Sequence, residues 1–201
     1  MTVFRPRAES AAPSNSAFES PEQEIERLRA QVQDLTARLA DAEALADRDT
    51  LTPVLNRRAF MREVQRAIAM ARRHNVPASV IYFDLDDFKA VNDRHGHAAG
   101  DAALVAMAAR LLGGVRESDV IGRLGGDEFA VLLMHADQEA ARLKAEALSA
   151  LVAGQPVRFA SVAFSIAATY GVREIQGADS PEQALAEADA VMYLRKPPKG
   201  R

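Results

Sequence analysis

The chain has 201 residues, 48% of them hydrophobic, and a net charge of −3, which together predict one domain of ordinary size plus an extension. The small net charge excludes a strong general attraction to nucleic acid or anionic lipid, and the absence of cysteine excludes disulfides and thiolate metal sites. No apolar run approaches the about 20 residues of a membrane span, and the N-terminus lacks the apolar core of a secretory signal. We therefore expect a cytoplasmic protein with no membrane span and no nucleic-acid partner.

The first part of the chain predicts a disordered tail followed by a coiled coil. Residues 1–20 are rich in Ser, Ala, Pro and Glu without periodicity, which is typical of disorder. Residues 21–47 carry a heptad repeat, because apolar side chains recur at alternating spacings of three and four. The a and d positions are Ile25, Leu28, Val32, Leu35, Leu39, Ala42 and Ala46.

The charges beside this apolar stripe favour a parallel homodimer over the alternative, a single amphipathic helix packed on its own domain. Glu24 at a g position would meet Arg29 at an e position of the partner, and Arg38 would meet Glu43 in the same way. Both pairs are opposite in sign, as parallel two-stranded coils prefer. The coil or the tail is also where an unidentified protein partner would dock.

Residues 48–201 predict one folded domain in which strands alternate with helices. Helices are predicted at 57–74, 99–112, 138–151 and 181–194, and strands at 78–83, 120–124, 129–134 and within 160–172. This order, with one tight hairpin in it, indicates an α/β or α+β sheet covered by helices.

The turn of the predicted hairpin has an unusual composition. Gly125-Gly126 joins two apolar runs, which indicates a tight turn because glycine tolerates positive φ angles. Asp127 and Glu128 follow directly. A turn that is both uncovered and acidic suggests a metal–nucleotide site, and the alternative is a solvated hairpin turn.

A second acidic cluster, residues 84–87, lies where the first predicted strand of the domain ends. If this strand neighbours the hairpin, Asp84 and Asp127 approach one another. Two carboxylates in one cleft repel unless a cation lies between them, and Mg²⁺ takes oxygen ligands together with phosphates. For Asp86 and Asp87 we expect a simpler role, the capping of the following helix.

Further polar side chains follow this cluster. Asn92 and Asp101 are residue types that can bind the edge of a nucleobase, and Lys89 is placed to meet a phosphate. His95 and His97 suggest a metal pair, but a turn with satisfied imidazoles is favoured because no third nitrogen or sulfur ligand is nearby.

Together these segments resemble the GGDEF family of diguanylate cyclases. The resemblance covers about residues 48–196 and depends on several motifs in order. The motifs are Asp49-Thr50-Leu51-Thr52 with Asn56-Arg57-Arg58, Phe83-Asp84-Leu85-Asp86-Asp87-Phe88-Lys89 with Asn92-Asp93, Gly96-His97 with Gly100-Asp101, and Gly125-Gly126-Asp127-Glu128-Phe129. The resemblance implies a palm-like central sheet, mixed or antiparallel, flanked by helices and related to class III nucleotidyl cyclases.

The resemblance also implies an activity and a cofactor. The enzyme would condense two GTP into cyclic di-GMP and release pyrophosphate, working as a homodimer. Mg²⁺ or Mn²⁺ would bind to Asp84, the backbone carbonyl of Leu85, Asp127 and Glu128. Asp127 would also act as the base that helps to deprotonate the 3′-hydroxyl, and Gly125-Gly126 would let GTP approach closely.

The residues that bind GTP are implied in the same way. Asn92 and Asp101 would recognise guanine. Phe88 and Lys89, with the backbone around them, would cradle the phosphates. Lys196 corresponds to the lysine of the family's C-terminal Tyr-x-x-Lys and would bind phosphate as well.

The family's inhibitory product site is an RxxD pattern upstream of the hairpin turn, and here it reads Arg116-Glu117-Ser118-Asp119. Arginine suits bidentate acceptors such as phosphate or the Hoogsteen edge of guanine. Arg116 and Asp119 would therefore bind cyclic di-GMP, with assistance from Arg123. The alternative is a local salt bridge between Arg116 and Asp119 ahead of a strand.

Two segments depart from the family pattern. Pro53 and Val54 replace the usual Gly and Leu of the first motif, and the turn there is expected to persist. At the C-terminus, Lys196 is followed by Pro197–Arg201, one residue longer than the family's usual ending. Because this extra residue shifts Arg201 from its usual place, Lys199 would take the phosphate role of that arginine.

Two other functions remain open from the residues. One is a catalytically idle module that senses cyclic di-GMP or GTP through Arg116 and Asp119. The other is a scaffold in which the coiled coil is the working part. Idle family members usually lose the acids of the turn, whereas Asp127 and Glu128 are both present.

Overall fold

The computed structural model describes residues 21–196 of the protein, which divide between two compact units. The first unit ends at Glu43 and the second begins at Ala44. The predicted disordered tail, residues 1–20, and the C-terminal residues 197–201 lie outside the described residues. Among the described helices, none is both long and apolar enough to cross a membrane.

Helix α1, Pro21–Ala46, follows the predicted heptad repeat. Proline suits its first position because the N–H that proline lacks has no partner there. The apolar stripe is open on the single chain, since Ile25, Leu28, Val32 and Leu35 are between 46% and 63% exposed. Aliphatic side chains this exposed are those that a partner helix would cover.

The second unit is a central sheet with helices on both faces. Its helices are α2 (Arg57–His74), α3 (Phe88–His95), α4 (His97–Gly114), α5 (Gln138–Ala153) and α6 (Pro181–Tyr193). Its strands are β1 (Leu55–Asn56), β2 (Ala78–Leu85), β3 (Val120–Gly125), β4 (Glu128–Met134), β5 (Val157–Phe159), β6 (Val162–Phe164) and β7 (Ala168–Glu174). The predicted helices and strands are found in the predicted order, and the structure adds β1, α3 and β5, for which no range was predicted.

The described residues form one five-stranded sheet in the order β1-β3-β4-β2-β7. β1 runs parallel to β3, and the other pairs are antiparallel. The expected mixed or antiparallel sheet flanked by helices is therefore confirmed, and it is mixed, with one parallel pair. β5 and β6 form a separate antiparallel pair, so the strand-rich segment predicted within 160–172 divides between two sheets.

β2 is buried along its whole length because helices cover both faces of the sheet. Ile81 and Phe83 pack with residues of α4 and α5 on one face. Val80 and Tyr82 pack with residues of α2 and α6 on the other face. Double coverage explains why this strand reads as a continuous apolar run rather than as an alternating one.

Helix α6 lies very close to β7. A Cβ atom at Gly171 of β7 would lie 2.0 Å from the Ala188 carbonyl oxygen and 2.3 Å from the Met192 nitrogen. Both are backbone atoms of α6, so only glycine fits between the strand and the helix. The start of α6 is fixed by a capping box, in which Ser180 and Gln183 exchange side-chain and backbone hydrogen bonds.

The capping role expected of Asp86 and Asp87 is wrong in its detail. Asp87 occupies the N-cap position of α3, but its side chain makes no capping hydrogen bond to the described residues, and its φ is +52°. Asp86 instead accepts a hydrogen bond from Thr169 Oγ1 at 2.7 Å, which ties the start of α3 to β7. A left-handed aspartate is strained, and this strain lies beside the predicted cation site.

Candidate active site

The pairing of β2 with β4 brings the two acidic clusters together. Asp84 at the end of β2 lies directly opposite Glu128 at the start of β4. The Leu85 backbone N–H donates to the carbonyl oxygen of Asp127 at 3.2 Å. As predicted, the strand neighbours the hairpin, and the Asp84 and Asp127 carboxylates line one cavity.

The hairpin turn is shaped by its glycines and held by an arginine. Gly126 has a φ of +43°, and no described atom lies within 4 Å of where its Cβ would be. Arg123 donates to the Gly126 carbonyl oxygen through Nε at 3.0 Å and Nη2 at 2.7 Å. The surface of the turn at Gly126 is therefore open to a ligand, while the Arg123 side chain holds the backbone of the turn.

Arg123 is in turn held by Asp49, from the segment that follows α1. The guanidinium lies 3.1 Å from Asp49 Oδ1. That oxygen also accepts hydrogen bonds from the backbone N–H of Leu51 and from the N–H and hydroxyl of Thr52. Burial tends to raise the pKa of Asp49, but the bonds from Thr52 and Arg123 outweigh it, and the pKa lies below its ordinary value. The turn expected around Pro53 is thus present, and it contacts the β3–β4 hairpin through Asp49 and Arg123.

The cavity beside the turn has a volume of about 400 Å³. It collects predicted metal and phosphate residues from three separate segments of the chain. Its lining residues are Asp84, Leu85, Asp87, Phe88, Lys89, Ala90, Asp93, Asp127 and Lys196. Two lysines and two converging carboxylates in one cleft can hold a cation together with an anionic phosphate chain.

Lys196 lies closer to the acids than its predicted phosphate role suggests. Its ammonium is 2.7 Å from Asp84 Oδ1. That buried oxygen accepts no hydrogen bond of acceptable geometry from the described residues, so the contact is an ion pair held by charge. Burial tends to lower the pKa of Lys196, but the Asp84 and Asp127 carboxylates outweigh it and raise that pKa.

The pKa of Asp127 is raised above its ordinary value, first by burial and then by the neighbouring Asp84 carboxylate, although Lys196 and Arg123 oppose the shift. The ionised form of Asp127 is therefore disfavoured in the folded chain. A buried carboxylate oxygen without a hydrogen bond, beside a second carboxylate, suits a hard divalent cation.

The protein offers few ligands to such a cation. Within residues 21–196, no group of three or more His, Cys, Asp or Glu side chains is arranged to hold a metal. That scarcity fits Mg²⁺, which keeps several waters and is bound by one or two carboxylates together with substrate phosphates. Asp84, Asp127 and the carbonyl of Leu85 are residues that would hold it.

Glu128 faces a different neighbour. Burial, followed by the charge of Glu128, raises the pKa of the Tyr82 phenol above its ordinary range. Glu128 does not line the 400 Å³ cavity. Its position opposite Asp84 keeps it beside the predicted cation site, and its carboxylate also acts on Tyr82.

The two residues predicted to recognise guanine lie on neighbouring helices. Asn92 is on α3, and Asp101 is in the first part of α4. A Cβ atom at Gly100 would lie 2.0 Å from Asn92 Oδ1, so the absence of a side chain at Gly100 gives Asn92 its place. His95 and His97 flank the turn at Gly96, one at the end of α3 and one at the start of α4.

The RxxD segment forms a turn beside a second cavity, of about 170 Å³. Asp119 Oδ2 accepts a hydrogen bond from the Arg116 backbone N–H at 3.0 Å. Among the described ion pairs none joins the two side chains, so the alternative of a local salt bridge is not observed. Lys144 of α5 also lines this cavity. Arg123 does not, because its guanidinium is engaged by the hairpin turn and Asp49.

Comparison with known proteins identifies the class to which this fold and site belong. The family model described as "Diguanylate cyclase, GGDEF domain" matches residues 46–201. The chain is 40% identical to diguanylate cyclase TpbB of Pseudomonas aeruginosa over 177 residues, which is 86% of this chain and 40% of that protein. The chain thus spans about two fifths of the length of that relative.

Two solved structures share the fold. The chain matches diguanylate cyclase SiaD of P. aeruginosa, solved with its activator SiaC, with a TM-score of 0.74 and 31% identity, covering 86% of this chain and 66% of SiaD. It also matches the coiled coil and GGDEF domain of DgcB from Caulobacter crescentus, solved with c-di-GMP. That match has a TM-score of 0.74 and 26% identity, covering 87% of this chain and 93% of the solved DgcB chain. The chain belongs to the GGDEF-domain family of diguanylate cyclases, and a helix with a heptad repeat, α1, precedes the domain.

Proposed function

We propose that the protein condenses two molecules of GTP into cyclic di-GMP with release of pyrophosphate. The observation that carries this proposal is the convergence of Asp84 and Asp127 in one cavity with Lys89 and Lys196. In the reaction the 3′-oxygen of each GTP attacks the α-phosphorus of the other, so two phosphodiester bonds form. At each α-phosphorus the bond to the β,γ-diphosphate breaks, two pyrophosphates leave, and each attacking hydroxyl gives up its proton.

The residues of the cavity have separate tasks in this reaction. Lys89 and Lys196 bind the triphosphate, and Phe88 supports the backbone around it. Asn92 and Asp101 bind the guanine. Asp127 accepts the proton of the 3′-hydroxyl. A divalent cation at Asp84, Asp127 and the Leu85 carbonyl, Mg²⁺ or Mn²⁺, would lower the pKa of that hydroxyl and neutralise charge on the leaving pyrophosphate.

Each domain has a single such cavity among its described residues, whereas the reaction needs two GTP molecules face to face. We therefore propose that the enzyme works as a homodimer. The open stripe of α1 supports this arrangement, because a parallel coil would hold one domain at high local concentration near its twin.

The proposed function is tested by incubating the purified chain with GTP and Mg²⁺ and separating the nucleotides over a range of protein concentrations. The expected result is cyclic di-GMP and pyrophosphate, with a rate per chain that rises as dimers form. A protein that binds cyclic di-GMP but forms none at any concentration would be a sensor instead of a cyclase.

The coil is expected to matter most when the protein is dilute. Removing residues 1–43 leaves the second compact unit whole. Activity per chain should then fall at least about tenfold at low concentration and recover as concentration rises, since pairing becomes bimolecular. Rate measurements over a dilution series check this. Fusing an unrelated parallel dimeric coil should restore the activity, and unchanged activity of the shortened chain at low concentration would contradict a pairing role.

Guanine binding should depend on the glycine behind Asn92. In Gly100→Ala, the new Cβ would displace the Asn92 side chain, and we expect the KM for GTP to rise roughly tenfold or more, the loss of about one good hydrogen bond. Gly113→Ala on the same helix is the control, because its Cβ would meet no described atom within 4 Å. Equal KM values for the two variants would remove Asn92 from the proposed guanine site.

We also propose that Arg116 and Asp119 bind the product and inhibit the enzyme. The cavity of about 170 Å³, which both residues line, supports this. So does the turn in which the Arg116 backbone N–H donates to Asp119 Oδ2. Arg116→Ala should leave the initial rate unchanged and raise the cyclic di-GMP concentration for half inhibition at least about tenfold. Progress curves with added product measure this, and Arg142→Ala, on the exposed face of α5, is the control.

A further inference from the structure

Helix α3 carries Phe88, Lys89 and Asn92, and yet none of its eight residues, all of them described, is buried. It begins at the left-handed Asp87 without a side-chain cap. A helix with so little burial of its own takes its position from the elements around it, and any tilt of α3 moves the groups that meet GTP.

Helix α4 holds α3 along one side, where Asn92 lies against Gly100, and two further contacts hold the ends of α3. Phe88 at the N-terminal end packs against the core on the α4 and α5 face of the sheet. At the C-terminal end, the His95 imidazole stacks on the Phe164 ring, with centroids 5.3 Å apart and the planes inclined by 15°. Asn92 lies between these ends, one turn before His95.

The stacked rings of His95 and Phe164 lie at the wall of a cavity behind α3. Behind α3 is a cavity of about 730 Å³, with Val91 and Arg94 of the helix on one side and residues 163–167 on the other. His95 and Phe164 both belong to its wall, so their rings join the helix to the far side of the cavity. Loss of either ring would remove this contact between the C-terminal end of α3 and β6.

Phe164 is well placed to be the fixed partner of this pair. It ends β6, and it packs against the same core as Phe88. Phe159 is the other aromatic residue of this hairpin, is also half-buried, and lies on β5 outside the stack. The two phenylalanines therefore share a hairpin and differ in their contact with α3.

We propose that Phe164 is a positioning residue for guanine recognition, because its stack on His95 sets the angle of α3 and so the place where Asn92 meets the base. This inference rests on the proposed function, since it takes Asn92 as a guanine contact. Phe164 itself touches no substrate. An aromatic pair of this kind changes an equilibrium constant by about threefold to tenfold, and that is the expected size of the effect.

The test uses the full chain with Phe164→Ala, Phe164→Tyr and Phe159→Ala, together with Asn92→Ala alone and combined with Phe164→Ala. The KM and kcat for cyclic di-GMP formation and the dissociation constant for GTP are measured for each. We expect Phe164→Ala to raise the KM and the dissociation constant about threefold to tenfold, with kcat within about twofold. Phe164→Tyr, which keeps a ring, and Phe159→Ala should match the wild type.

The combined variant decides whether Phe164 acts through Asn92. If it does, Phe164→Ala adds little to the loss caused by Asn92→Ala, because the two changes remove the same contact. Additive losses, equal effects of Phe164→Ala and Phe159→Ala, or a fall in kcat at constant KM would each overturn the inference. If the wild-type chain binds GTP but makes no product, the proposed function is wrong and this inference is not affected. The dissociation constants for GTP then decide the role of Phe164. A wild-type chain that binds no GTP overturns both.

Discussion

Replacing Asp127 with asparagine should reduce cyclic di-GMP formation by at least about a hundredfold while the domain stays folded. An amide has nearly the same shape, but it neither accepts the proton of the 3′-hydroxyl nor offers a charged oxygen to a cation, and such roles contribute about 10²–10⁴-fold. Initial rates at saturating GTP measure the loss. Asp93→Asn makes the same chemical change at an exposed residue of the same cavity and should stay within about threefold of the wild type.

The stability of the Asp127→Asn variant separates a catalytic loss from an unfolded protein. Burial and the Asp84 charge raise the pKa of Asp127 in the folded chain, so its ionised form disfavours the fold at neutral pH. Asparagine removes that penalty, and the variant without added metal should melt no lower than the wild type. The difference should close as the pH falls through the raised pKa, because protonation removes the same charge. A variant with wild-type turnover would sink the proposed mechanism.

Gly171→Ala is expected to have the largest effect on stability. The added methyl would overlap backbone atoms of α6 at Ala188 and Met192, and backbone cannot move aside as a flexible side chain can. The helix must lift from β7, which we expect to cost about 3 kcal/mol of the free energy of unfolding, at the upper end for overpacking. Urea titration monitored by circular dichroism gives the value.

Gly125→Ala on β3 is the matched strand variant for this measurement. Its Cβ would meet only Glu128 Oε2, at an ordinary 3.8 Å among the described atoms, and its free energy of unfolding should change by less than about 1 kcal/mol. If the two alanine variants were equally stable, the close approach of α6 to β7 would not be what restricts residue 171 to glycine.

Features encoded over short stretches of the chain were predictable from the sequence. The Gly-Gly turn, the acids after it and the apolar run that ends at Asp84 need only local chemistry, and the structure joins them as expected. The heptad of α1 and the main helices follow from periodicity in the same way. The family's motifs then supplied roles that no spacing argument could give to Asn92 or Lys196.

Contacts between distant segments were not predictable in this way. Asp49 and Arg123 are 74 positions apart, and the residues around each of them do not indicate that the two side chains meet. The same holds for Asp86 with Thr169 and for His95 with Phe164. The preference of aspartate for helix starts pointed to a cap at Asp86, and the tertiary bond to Thr169 overrode that local preference.

The bond of Arg123 to both Asp49 and the Gly126 carbonyl bears on how genomes are read for this enzyme class. Residues 125–129 spell the motif after which the family is named. In this fold the conformation of those five residues also depends on Asp49, which lies far outside them in the sequence. A relative that keeps these five residues but has a neutral residue at position 49 would match the motif and still lack the bond that holds Arg123. Comparisons within the family should therefore include position 49 together with residues 125–129.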